Sequence, residues 1–178
     1  MRKPASFRLF RALLGVAGAS LLAAAAPSRA DDVVHWQTVI GIIQAGNPVG
    51  SGTGQVTGGG QPWSATGGES VVNLRNGDVG FRVRGLVLAG GNTIGTPGAI
   101  TGVKGTLVCD LNGSAGGGNT TLVDTPLVAL SDTGDARFSG NFGPLPAACS
   151  EPDIAFLIRI AAGRWIANGA VLKRSDGD

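Results

Sequence analysis

Apolar and polar residues alternate with a period of two along much of this chain, most plainly between Val103 and Val171. In VKGTLVCDL, Val103, Gly105, Leu107, Cys109 and Leu111 share one parity, and Lys104, Thr106 and Asp110 take the other. That spacing predicts a strand with one apolar face. FLIRIAAGRWIANGAV reads as a strand, a tight turn at Ala161-Ala162-Gly163-Arg164 and a returning strand. Over 136–142, Ala136, Phe138, Gly140 and Phe142 alternate with Arg137, Ser139 and Asn141, as in a half-buried strand. Near the start, VVHWQTVIGII within 31–44 is rich in β-branched residues and predicts another.

Turn chemistry divides the remainder. Residues 70–74 and 79–89 flank Arg75-Asn76-Gly77-Asp78, and Asn-Gly is a strong hairpin signal because both residues tolerate positive φ. Val79, Phe81 and Val83 share a face that Leu86 and Leu88 would miss, so a bulge is expected at Gly85. Segment 45–68 holds nine glycines and two prolines and reads as loop, with short edge strands expected at 55–57 and 63–66. Further loops are expected at 90–98, 112–119 and 144–153, the last presenting Cys149. A strand over 100–111 carries Cys109, and one over 122–131 contains Pro126, which implies an edge position or a break. About eight or nine short strands result, without a long helix. The expected fold is all-β, a single antiparallel β-sandwich or alternatively a small β-barrel.

The N-terminus alters the composition. Arg2, Lys3, Arg8 and Arg11 precede an apolar run from Ala12 to Ala26, and Ser28-Arg29-Ala30 presents small residues where a signal peptidase reads. The run is about 15 residues, short of the roughly 20 that a spanning helix needs. Residues 1–30 are therefore expected to be a signal peptide, leaving one domain over 31–178 in an extracellular space, with no stable membrane anchor after cleavage. The leader carries five of the 14 basic residues and none of the 12 acidic ones, so the remaining chain has a net charge of −3. Such a chain lacks the cationic field that nucleic acid requires, and no nucleic-acid partner is expected. It also retains 29 of the 31 glycines, a density suited to turns and costly in helices.

Two cysteines in an exported chain are most simply a pair. Bridging Cys109 and Cys149 would close a loop of about 40 residues, with a chain-entropy benefit of roughly 4 kcal/mol.

Candidate chemistry is sparse. Asp132-Thr133-Gly134 matches the core triplet of aspartic peptidases, where two aspartates share a proton. There is one copy, Asp135 follows where that family has a small neutral residue, and a homodimer would be needed. A plain turn between strands explains all four residues. His35 is the single histidine, without a GxSxG elbow to give it a nucleophile. Asp110, Asn112, Asp124, Asp132 and Asp135 could offer oxygens to calcium but lack EF-hand or nonapeptide spacing, and no metal or other cofactor is expected. Asn112 and Asn119 head glycan acceptor triplets. Trp63, in the glycine-rich segment, is the one aromatic residue placed to stack on a sugar, against the simpler role of core packing. Arg82, Arg84, Lys104 and Arg137 point outward on their strands and keep sheet faces soluble.

The run DTPLVALSDTGDARFSGNF, the proline-bounded Cys149, FLIRIAAGRWIANGAV and VKGTLVCDL together resemble a group of exported bacterial β-rich proteins of unassigned function. The architecture is also similar to the CHRD domain, a secreted β module, although that family's characteristic histidines are absent here, so no site residue carries over. The expected function is a secreted, non-enzymatic binding or structural module whose partner is an extracellular or cell-surface protein or glycan. The alternatives are a secreted hydrolase, including a dimeric protease using Asp132, and a carbohydrate-binding module using Trp63.

Overall fold

The computed structural model describes residues 32–150 and 152–174; the expected signal peptide lies outside them. The described chain is all-β, dominated by one antiparallel sheet that curls into a half-barrel. Its strands are β1 (Val33–Gly41), β5 (Gly67–Asn73), β6 (Asp78–Arg84), β8 (Gly102–Cys109), β9 (Thr121–Asp124), β10 (Val128–Ala129), β11 (Ala136–Asn141), β12 (Ile154–Ile160) and β13 (Trp165–Arg174). They run β10-β8-β12-β13-β1-β5-β6-β11, with β9 also paired to β8. Two small ladders stand apart: β2 (Pro48–Val49) with β3 (Val56–Thr57), and β4 (Trp63–Ser64) with β7 (Val87–Leu88).

The alternating residues build the interior. Leu107 on β8 lies beside Phe156 on β12, whose ring is 5.6 Å from Trp36 of β1 and 6.0 Å from Phe81 of β6. Strands distant in the sheet therefore meet through their rings, and the inner face is the core. Gly105 makes room for this, since a Cβ there would fall 2.6 Å from Phe156 and 2.8 Å from Phe81. Ser70, in register between Trp36 and Phe81, is fully buried and its hydroxyl has no hydrogen-bond partner among the described residues.

Several sequence expectations need correction. The hairpin β5–β6 forms, but Asn76 does not adopt positive φ; Gly77 alone does (78°), and Asn73 Oδ1 accepts from the amides of Arg75 and Asn76. The connection is a longer loop capped by an asparagine. At Gly85 (φ 59°) β6 ends instead of bulging, and the chain leaves the main sheet to pair β7 with β4. Leu86 and Leu88 are buried as the bulge was meant to achieve, through this exit. The strand expected over 122–131 does break at Pro126, as that residue implied, and both pieces, β9 and β10, add to β8. In β8 the alternation fails because Thr106, Leu107, Val108 and Cys109 are all buried.

The glycine-rich segment is bonded into the rest of the fold. Its β2–β3 excursion is tied across the molecule: Ser51 N donates to Thr120 Oγ1 at 2.8 Å, and Trp165 Nε1 donates to Asn47 O at 2.8 Å. The segment is thus an ordered flap built of very short strands. Cys109, at the end of β8, is bonded to Cys149 in the short 3-10 turn Ala147–Ser150, so the expected disulfide is present.

Candidate functional site

The sequence-nominated groups are scattered. Trp63 is only 6% exposed, because β4 pairs with β7 and packs against β1 and β13; that burial gives the indole the core-packing role in place of the stacking platform. Asp132 is exposed at the tip of the turn joining β10 to β11. The other members of that turn hold structure: Asp135 Oδ1 accepts from Gly85 N at 2.9 Å, Asp135 N donates to Ser131 Oγ at 2.9 Å, and Leu86 N donates to Gly134 O at 2.8 Å. The triplet clamps the exit from β6.

The oxygen ligands considered for calcium also part company. Asp110, fully buried with φ 56°, accepts from the amides of Ala115 at 2.9 Å and Gly116 at 2.7 Å, organising its own loop. Asp124 receives Lys104 Nζ at 2.5 Å, Arg159 Nη1 at 2.9 Å and Thr106 Oγ1 at 2.6 Å. Burial pushes the Asp124 carboxyl up, but the hydrogen bonds from Lys104 and Thr106 and the charges of Arg159 and Lys104 outweigh it and hold it below the usual 3.8. Both carboxylates are engaged by the protein's own donors. Among the described residues no three His, Cys, Asp or Glu side chains gather in a metal-binding group.

A different set converges on the outer face of the sheet. A shallow groove of about 760 Å³ crosses five adjacent strands, β13, β1, β5, β6 and β11, lined by Lys173, His35, Val71, Gly80, Arg82 and Arg137 among others. Register builds it. Lys173, His35, Val71 and Gly80 form one row across the strands, while Glu69, Arg82 and Arg137 form the next. Gly80, lacking a side chain, leaves a notch beside Val71, whose side chain is itself 41% exposed.

Charge in the groove is unbalanced. Glu69 is its acidic residue, bracketed by Arg82 Nη2 at 2.9 Å and His35 Nε2 at 3.6 Å. The side chains of Arg137 and Lys173 have no ion-pair or hydrogen-bond partner among the described residues. His35 and Glu69 form the one acid–base contact in the groove, and no hydroxyl or thiol hydrogen-bonds to His35 among the described residues.

In the sequence Arg82 and Arg137 read as solubilising residues and His35 as a lone strand histidine. Their meeting depends on β13 pairing with β1 and β1 with β5, contacts between distant parts of the chain.

Fold and groove together define an all-β, disulfide-closed protein with a cation-lined recess on one sheet face. Comparison with protein-family models, curated proteins and solved structures finds no match to this chain. Among the described residues no helix is long and apolar enough to cross a membrane.

Proposed function

We propose that this chain is an exported, non-enzymatic binding module, a sandwich-like β domain that works outside the cytoplasm and recognises its partner through the groove over Gly80. The observation that carries this reading is the character of the groove. It is broad and open, with a notch at Gly80 and with the side chains of Arg137 and Lys173 facing it without a partner among the described residues. The disulfide supports an oxidising location, where such bonds persist.

The test has two arms. Chain recovered from culture medium, with its N-terminus defined by mass spectrometry, is expected to begin at residue 31. Immobilised on a sensor and offered extracellular extracts, it is expected to retain a ligand that Gly80→Val releases. Turnover of peptide, ester or glycoside substrates, abolished by His35→Ala or Glu69→Ala, would replace the module reading with an enzymatic one.

A further inference from the structure

We infer that the groove accepts an extended acidic peptide segment in which an apolar residue is flanked by carboxylates. This inference rests on the binding-module reading above and adds the class of ligand.

Charge complementarity comes first. Arg82 and Arg137 stand at one end of the groove and Lys173 with Arg174 at the other, against the single carboxylate of Glu69. Arg82 is partly neutralised by Glu69, and Arg174 Nη2 donates to Pro152 O at 3.1 Å, whereas the side chains of Arg137 and Lys173 have no partner among the described residues. An arginine and a lysine placed apart on the open sheet face suit two separated anionic groups; a guanidinium fork suits a carboxylate.

The centre of the groove sets the second requirement. Val71 and Val33 line it, and the notch at Gly80 is open, since a Cβ there would have Val71 as its nearest neighbour at 3.5 Å. A small aliphatic side chain fits between the two cationic ends. Length gives the third: five strands at roughly 4.8 Å spacing span about 19 Å, which an extended peptide covers in about six residues.

The same lining disfavours other polyanions. It offers no aromatic face of the kind on which sugars or bases stack; Trp63, the surface candidate, is buried, and Phe81 belongs to the core. The expected net charge of −3 excludes a long-range cationic field, and a short peptide needs only the local one.

The test uses the whole chain and three labelled probes read by fluorescence anisotropy at about 50 mM salt, where exposed charges are weakly screened. The probes are the peptide Asp-Glu-Val-Val-Glu-Asp, its amide counterpart Asn-Gln-Val-Val-Gln-Asn, and an oligogalacturonate of similar length. The acidic peptide is expected to bind at least about tenfold more tightly than either comparator, and Arg137→Ala with Lys173→Ala to remove about tenfold of that affinity. Gly80→Val, which fills the notch without altering charge, is expected to weaken binding comparably while leaving thermal stability intact. Amide shifts in NMR spectra are expected at His35, Val71 and Gly80.

Equal binding of the amide peptide, insensitivity to all three substitutions, or the absence of binding by any probe would overturn the inference. Tighter binding of the oligogalacturonate through the same residues would overturn the peptide class and leave the module reading standing. Probe fragments seen by mass spectrometry would remove the module reading itself.

Discussion

Arg82 and Arg137 stand directly opposite each other on β6 and β11, both exposed, with Glu69 on the far side of Arg82 as their nearby counter-charge. Like charges facing across a ladder are unfavourable by a few tenths of a kcal/mol up to about 1 kcal/mol. Arg137→Ala is therefore expected to leave the fold as stable or slightly more so, by up to about 0.5 kcal/mol, once the lost strand propensity is counted. Urea titration of the variant checks this. A loss above about 1 kcal/mol would mean that Arg137 has a structural role.

Acid sensitivity should centre on Asp124. Its carboxyl is held below its ordinary value in the folded chain, so its contribution is fully present above about pH 3.8 and is lost as the pH falls through the lower folded value. Asp124→Asn is expected to cost about 1 to 2 kcal/mol at neutral pH, discounted for partial exposure, and to flatten the acid limb of the stability curve. Denaturation midpoints from pH 2 to 7 would show both effects, and an unchanged acid limb would contradict the assignment.

The two readings of Asp132-Thr133-Gly134 separate cleanly. Gly134 has φ 80° and sits where a Cβ would lie 2.4 Å from Leu86 O, whereas Asp132 is exposed. Gly134→Ala is expected to destabilise by more than about 2 kcal/mol, and Asp132→Asn by less than about 0.5 kcal/mol. Thermal melts of the pair provide the comparison.

The buried hydroxyl of Ser70 invites a stabilising change. With Oγ unpaired between Trp36 and Phe81, Ser70→Ala removes a desolvated polar group at nearly constant volume. A gain of about 1 kcal/mol is expected by chemical denaturation. A loss would point to a water bound in the core.

The disulfide closes 40 residues of sequence, from the end of β8 to the turn before β12. Replacing both cysteines by alanine is expected to cost about 4 kcal/mol, less whatever structure the reduced unfolded chain retains. Denaturation of the variant and of reduced wild-type protein should agree.

Much of the sheet was legible because its strands carry their own signals. The parity of Val103, Leu107 and Cys109, the Gly163 turn between β12 and β13, and the proline interrupting β9 and β10 are local features. What escaped was set by distant partners. Val108 looks like an outward residue until both faces at that end of β8 are covered, and Gly85 looks like a bulge until β7 finds β4. Trp63 stands among glycines in sequence, yet β4 finds β7 and packs against β1 and β13, which buries it. The groove was the least legible feature, since each strand contributes only one to three residues and their assembly follows from sheet order.

That order also places the first long strand beside the last. β1 is hydrogen-bonded to β13 over seven register pairs, and β13 ends at Arg174. The midpoint of the sheet is thus a seam between segments far apart in the chain, and β1, already paired to β5 on one edge, lacks its other neighbour until β13 has been made. Trimming the C-terminus back into β13 would therefore open the sheet at its middle, where stepwise deletions should abolish the cooperative transition abruptly instead of eroding an edge.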